Sequence, residues 1–243
     1  DRPDALNALR PTLLDELEVA MEQAEDDAVR VVVLTGNGSA FSAGYDIGED
    51  EDDLGSVEDR MRDRRSHLES VIESPLPVLA KVDGYALAGG CNLAIACDLT
   101  IASERSTFGF PDMHFGEPPP KFILPFVTAS LKHARELLYS GKRIPAAEAE
   151  RMGLVNHVVP IDDLDDAVAE EAARIKKTPG VAVSLVKAML NDVQTAQGFR
   201  DSPLDEYLAI LTMETETPKR FREIREAEGF EAALEWMHEA DKP

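Results

Sequence analysis

Apolar positions near the start of the chain recur at helical spacing. Leu13, Leu14, Leu17, Ala20, Met21 and Ala24 fall on one stripe, and Pro11 suits the first turn of that helix. The period then changes. "VRVVVLTG" is a continuous β-branched run, which predicts a strand covered on both faces. The loop "NGSAFSAGYDIGEDEDDLGS" follows, and then a polar helix ending near Ile72. "LPVLAKVDG" predicts a second buried strand and "LTIAS" a third, separated by a glycine turn and an apolar helix within "GYALAGGCNLAIACD". Strands that alternate with helices place the chain in the α/β class.

The rest of the pattern is mostly helical. "ARELLYSG" stops at Gly141 and "AAEAERMG" at Gly153, each glycine suited to a left-handed C-terminal cap. "LVNHVV" predicts a short strand. From Asp162 onward only helices are expected: "DDLDDAVAEEAARIKK", "GVAVSLVKAMLNDV", "PLDEYLAILTMET" and "PKRFREIREAEGFEAALEWM", punctuated by Pro203 and Pro218.

Length and charge narrow the function. A chain of 243 residues that is 44% hydrophobic can form one substantial core with a helical appendage. No segment approaches the ~20 uninterrupted apolar residues of a membrane span. No signal-peptide pattern is present, which predicts a cytoplasmic protein; the chain opens at Asp1 inside a motif, so residues upstream are expected. Acidic residues outnumber basic ones 47 to 25, a net charge of −22. That excess opposes binding to nucleic acid or anionic membranes. With Asp-rich runs such as "GEDEDD" and little Lys, it predicts adaptation to high salt, where ions screen self-repulsion.

Several common chemistries are missing. "TGNGSAF" begins a GxG, but Phe41 stands where a third dinucleotide-loop glycine belongs. There is no GxSxG elbow. The histidines at 67, 114, 133, 157 and 238 form no zinc-binding pattern. Cys91 and Cys97 read as small buried thiols. What remains is bare backbone after two buried strands, at Gly44 and at Gly89-Gly90, the second pair opening a helix. Amide groups at a helix start are unpaired and sit at the positive end of its dipole. Two such turns facing each other would hold one oxyanion. The same glycines would equally permit close helix–strand packing, and spacing alone does not separate the two uses.

In order, "RPDALNAL", "VVVLTGNGSAFSAGYDI", "PVLAKVDGYALAGGCNLAIACDLTIAS", "FGFPD" and "ELLYSGKRIPAAEAERMGLVNHVVP" resemble the motifs of the crotonase superfamily, the enoyl-CoA hydratase/isomerase family. The resemblance implies a ββα spiral core over residues 1–195 carrying the acyl-CoA site. It also implies a helical C-terminal region, 196–243, that packs homo-oligomers, trimers or hexamers. The activity implied is hydration or double-bond shift of enoyl-CoA thioesters through an enolate, with no cofactor beyond the coenzyme A of the substrate. By motif match the oxyanion donors are the amides of Tyr45 and Gly89, where only the backbone matters. Coenzyme A would pass Asp4, Ala5 and Leu6, then Ala43, Asp46 and Ile47, with Pro111 also at the substrate.

The residues that distinguish reactions depart from the hydratase pattern. Two glutamates act in hydratases of the family; Asn92 and Asp112 stand at those positions here. Asp112 is the expected acid/base, as opposed to a turn residue after Pro111. Asn92 is either a water-orienting group or a satisfied helix polar group. A lone carboxylate suits isomerases, its pKa tuned by Phe108, Phe110 and Phe115. His114, two residues beyond Asp112, is a substitute acid/base candidate or a surface histidine. Pro118, Pro119 and Pro120 replace a glycine-rich stretch, and Glu235, Trp236 and Met237 replace basic residues near the phosphate end of coenzyme A. The same hole would serve a decarboxylase or thioester hydrolase, and a silent acyl-CoA binder is the alternative outside enzymes.

Overall fold

The computed structural model describes residues 1–27, 29–46, 67–120, 123, 130–198, 211–212 and 215–240. Among them, the β-branched runs form a four-stranded sheet, all parallel. It contains β1 (Val32–Thr35), β3 (Val78–Val82), β5 (Leu99–Ser103) and β8 (His157–Val159), in the order β1-β3-β5-β8. Registers such as Val32 opposite Val78 and Leu79 opposite Leu99 stack apolar residues along both inner pairs.

A second four-stranded sheet consists of three-residue strands: β2 (Ala40–Ser42), β4 (Tyr85–Leu87), β6 (Thr107–Gly109) and β7 (Arg143–Pro145). Only β6 and β7 are antiparallel, and β7 sits at the edge, where Pro145 costs no ladder bond. Successive strands of one sheet are thus followed by successive strands of the other. Between β3 and β4 the corner is Asp83-Gly84; Gly84 has φ +74°, and a Cβ there would lie 2.0 Å from the Ser39 carbonyl oxygen. This repeated step, with a helix after β4, is the ββα spiral expected from the sequence.

Helices cover and fill the two sheets. α1 (Pro11–Asp26) buries Leu14 and Met21 in the main core. α2 (Gly89–Ala96) lies wholly inside, all eight residues buried. α3 (Leu131–Ser140) and α4 (Ala146–Met152) end at Gly141 and Gly153, with φ +58° and +82°, the left-handed stops read from the sequence. α5 (Leu164–Ile175) places Leu164 and Val168 on Leu79 and Ile101. α6 (Gly180–Ala196) is clamped by buried Lys187, whose Nζ donates to the carbonyls of Val71 and Leu76 and to Asp98 Oδ2, at 3.1, 2.9 and 2.8 Å. α7 (Glu216–Glu228) and α8 (Phe230–Ala240) form a pair that buries Phe221, Ile224 and Ala233.

Two expectations change. The β1 run predicted cover on both faces, but β1 is an edge strand and Val33 is 42% exposed. Most of the predicted helix "PLDEYLAILTMET" and the "GEDEDD" run lie outside the described residues. Among the described residues no helix is long and apolar enough to cross a membrane.

Candidate active site

The two glycine turns meet. The β2 strand ends at Ser42, and the chain turns at Gly44 with φ +109°. A Cβ placed on Gly44 would lie 2.8 Å from Ala88 Cβ and 3.3 Å from the Gly89 amide nitrogen. Gly90 has no room for a side chain either, since its Cβ would fall 2.3 Å from the Ser42 carbonyl oxygen. The packing use of glycine therefore holds at Gly90, and the close approach of the turns holds at Gly44. Ala88, the residue before α2, takes φ +51° and ψ −125°, a conformation L residues rarely adopt and one that strong packing must hold.

The amide directions follow from the neighbouring bonds. The Leu9 amide donates to the Gly44 carbonyl at 2.8 Å, and the Asp46 amide donates to the Leu9 carbonyl at 2.9 Å. Alternation along an extended chain turns the Tyr45 amide away from Leu9. The Gly89 amide opens α2, where no carbonyl one turn earlier belongs to the helix. The Tyr45 ring lies across Gly89: a Cβ on Gly89 would fall 2.5 Å from Tyr45 Cε2. The side chain at 45 is thus part of the packing around Gly89, apart from the amide expected to act.

Asn92 lies one turn into α2. Its amide donates to the Ala88 carbonyl at 3.0 Å, and its side chain is 2% exposed. Oδ1 is fully buried and, among the described residues, has no hydrogen-bond partner. A buried acceptor left unmet costs about 1–3 kcal/mol.

Asp112 follows Phe110 on the short 3-10 turn Pro111–Phe115 and is buried. The Ala88 amide donates to the Gly109 carbonyl at 2.9 Å, which ties the end of β6 to the start of α2. Asp112 lies close enough to α2 for its charge to act on the neighbouring thiol. Burial, opposed by a bond from the Gly109 backbone and assisted by the Asp112 carboxylate, pushes the Cys91 thiol up to about 12. The helix that carries Asn92 and the segment that leads to Asp112 are thus tied together at their starts.

Five of the expected binding residues lie on two segments that are bonded to each other. Asp4 and Ala5 occupy the 3-10 turn Pro3–Ala5, Leu6 follows with φ +50°, and all three are exposed. The Ala43 amide donates to the Leu6 carbonyl at 3.0 Å, bringing this turn against Ala43-Gly44-Tyr45-Asp46. Asp46 carries an ion pair to Arg2, Nη1 to Oδ2 at 2.7 Å, so its carboxylate holds the two segments together. Pro111 is half-buried beside Asp112. Ile47 lies outside the described residues.

Two candidates do not join the site. His114 is exposed, and its ring packs on Gly141 at the end of α3: a Cβ on Gly141 would meet His114 Nε2 at 2.6 Å. It is the surface histidine of the two readings. Phe108 and Phe110 are buried in the main core, but Phe115 stacks on Phe221 of α7 at 4.4 Å and so faces the C-terminal helices.

Two supporting residues escaped the sequence reading. Asn7 sits at φ +53°; its Nδ2 donates to the carbonyls of Asn37 and Ala40 at 2.8 and 2.7 Å, and its Oδ1 accepts from the Arg2 amide. Ser42 is buried, and its Oγ accepts from the Gly44 amide at 3.2 Å. Asn7 is part of "RPDALNAL", and an asparagine before a turn was the available signal. Ser42 had none, because a serine inside a three-residue strand has no distinctive spacing.

Comparison with known proteins agrees with this arrangement. Residues 1–232 match the sequence profile of the family described as enoyl-CoA hydratase/isomerase. A probable enoyl-CoA hydratase of Rhizobium meliloti is 37% identical over 206 residues, 82% of this chain and 80% of the relative. The short-chain-enoyl-CoA hydratase of Clostridium acetobutylicum is 34% identical over 245 residues, 95% of this chain and 92% of the relative. The crystal structure of an enoyl-CoA hydratase/isomerase from Xanthobacter autotrophicus Py2 superposes with a TM-score of 0.90 at 32% identity, covering 100% of this chain and 93% of that one. The chain belongs to the enoyl-CoA hydratase/isomerase family of the crotonase superfamily.

Proposed function

We propose that the chain hydrates enoyl-CoA thioesters, or shifts their double bond, by passing through an enolate held by the amides of Tyr45 and Gly89. The observation that carries this reading is the approach of the Gly44 turn to the Gly89 amide, within 3.3 Å of where a Cβ on Gly44 would lie. A thioester carbonyl oxygen between those amides gains negative charge as the enolate forms. Fixed N–H donors stabilise that charge more than they stabilise the neutral carbonyl.

Asp112 is the acid/base. In hydration it accepts a proton from water as the water oxygen bonds to the β-carbon, and it returns that proton to the α-carbon. In isomerisation of a 3-enoyl ester it removes an α-proton and delivers it to the γ-carbon. Both cycles end with the carboxylate as it began. Coenzyme A is carried by the substrate and passes Asp4, Ala5 and Leu6 on one side and Ala43 and Asp46 on the other.

Further parts of the reading rest on other features. A net charge of −22 supports a cytoplasmic protein from a high-salt cell. Val181, Leu185, Val186, Met189, Leu190 and Val193 form an exposed apolar stripe along α6, which supports a homo-oligomer, trimer or hexamer. The core to residue 195 carries the site, and α6 at its end serves assembly together with the helical region beyond it.

The experiment is direct. Pure protein in molar KCl is mixed with crotonyl-CoA and, separately, with a 3-enoyl-CoA. Loss of conjugated-enone absorbance reports hydration, and its appearance from the 3-enoyl ester reports isomerisation. Asp112→Asn is expected to remove either activity by about 10²–10⁴-fold. Full turnover in that variant would move the acid/base elsewhere.

A further inference from the structure

The turn that carries Asp112 is only five residues long, Pro111–Phe115, so its place is set by what its ends and flanks touch. At its start Phe110 is fully buried in the main core. At its end Phe115 leaves that core and packs its ring on Phe221 of α7, with centroids 4.4 Å apart and planes tilted by 37°. Gly116 comes next and meets the same helix. It has φ +75°, and a Cβ there would fall 2.6 Å from Pro218 Cγ. Pro218 and Phe221 are three apart on α7 and so share one face, and both are buried.

This contact is relayed to the backbone of Asp112. The Glu117 amide donates to the Asp112 carbonyl at 3.1 Å, and the Gly116 amide donates to the Met113 carbonyl at 3.2 Å. The segment that α7 presses on is therefore the one bonded back to the acid/base residue. On the other flank the His114 ring packs on Gly141, so the turn is held between the end of α3 and one face of α7. Close-packed surroundings pass a displacement on because they hold few voids to absorb it.

Resting on the enoyl-CoA reading above, we propose that Phe115, Phe221 and Pro218 are positioning residues for Asp112, so that the C-terminal helix pair sets the reach of the acid/base. They act through the Asp112 backbone and not on the substrate. A carboxylate that moves a proton must come within about 2.6–3.2 Å of the atom it serves. Misplacement by about 1 Å costs about 100-fold in rate. A shorter side chain at 115 lets the turn settle toward α7, and a methyl on Gly116 pushes it away; both move Asp112.

The test uses three variants of the full chain. Phe115→Leu removes the ring, and Gly116→Ala keeps both rings but opens the contact with Pro218. Phe115→Tyr keeps the ring, and position 115 is only half-buried, so the added hydroxyl can reach water. Hydration of crotonyl-CoA is measured for kcat and KM. Trp236, the single tryptophan of the chain, packs in the cluster formed by Phe221, Ile224 and Ala233, so its emission reports whether the helix pair stays docked. Hydrogen exchange at the Glu117 amide reads the bond to Asp112 without reference to activity.

Phe115→Leu and Gly116→Ala are expected to lower kcat about 10- to 100-fold with KM within about threefold, unchanged Trp236 emission and faster exchange at Glu117. Phe115→Tyr is expected to keep kcat within about threefold of wild type. A folded Phe115→Leu that turns over at the wild-type rate overturns the inference and leaves the enoyl-CoA reading standing. Equal losses in Phe115→Leu and Phe115→Tyr overturn it as well, and so do losses accompanied by a shifted Trp236 emission in both Phe115→Leu and Gly116→Ala, since a purely structural role acts in that way. A wild type inactive on both crotonyl-CoA and a 3-enoyl-CoA removes the reading and the inference with it.

Discussion

Gly44→Ala isolates the approach of the two turns. A Cβ at this position would lie 2.8 Å from Ala88 Cβ and 3.1 Å from the Leu87 carbonyl oxygen. Carbon pairs rest near 3.5–4.0 Å, so the turns must part by about 0.7 Å or more to admit the methyl. The φ of +109° adds backbone strain of about 1–3 kcal/mol for a residue other than glycine. A misplacement near 1 Å in a reacting geometry costs about 10²-fold, so a loss of roughly 10- to 100-fold in kcat/KM for hydration is expected, with a lower Tm. Gly198→Ala is the control. It has φ +85° and nothing within 4 Å of the added methyl, so it shares the backbone strain without the contact. Thermal melting and the crotonyl-CoA assay are run on both. If folded Gly44→Ala hydrates within about threefold of the Gly198→Ala control, the spacing of the turns does not govern the reaction and the reasoning fails.

Three other outcomes can be checked. With a net charge of −22, raising KCl from about 0.1 to 1 M shortens the screening length from about 10 to 3 Å and should raise Tm, by about 2–4 °C per kcal/mol of repulsion relieved; a flat Tm contradicts this. The Arg105 guanidinium, bonded to Asp83 through Nε at 2.7 Å and also through Nη2, holds the Asp83 carboxyl below the usual carboxylate range, with help from Ser103 and the Gly84 amide and against burial. A depressed folded pKa gives stability that is complete above the unfolded value of about 3.9 and is lost as pH falls through the folded pKa. The Tm gap between wild type and Asp83→Asn should therefore be largest near neutrality and close in acid; a gap that widens toward acid refutes it. Burial raises the Cys91 thiol to about 12 and Cys97 higher still, so an aromatic disulfide reagent at pH 8 should label neither in the folded protein and both in guanidinium; rapid labelling of the folded protein refutes that burial.

The parallel sheet was legible because β1, β3 and β5 are β-branched runs bounded by turns, and the stops at Gly141 and Gly153 because only a left-handed cap needs glycine there. The second sheet was not legible. Three residues such as Tyr85–Leu87 or Thr107–Gly109 are too few to display a period of two, and their pairing depends on corners set by residues such as Gly84. β1 read as a doubly covered strand because its composition does not distinguish a face buried by its own chain from one left exposed at an edge. Asp112 and Asn92 could be named from motif position, but what each does depends on three-dimensional facts. The unmet Asn92 Oδ1, the turning of His114 onto Gly141 and the stacking of Phe115 on Phe221 follow from chain segments far apart in sequence.

A crystal structure with an acyl-CoA bound tests the central claim most directly. The account predicts one thioester oxygen lying about 2.7–3.1 Å from both the Tyr45 and the Gly89 amide nitrogens. A thioester oxygen that reaches neither amide, or amides too far apart to share one atom, would contradict it.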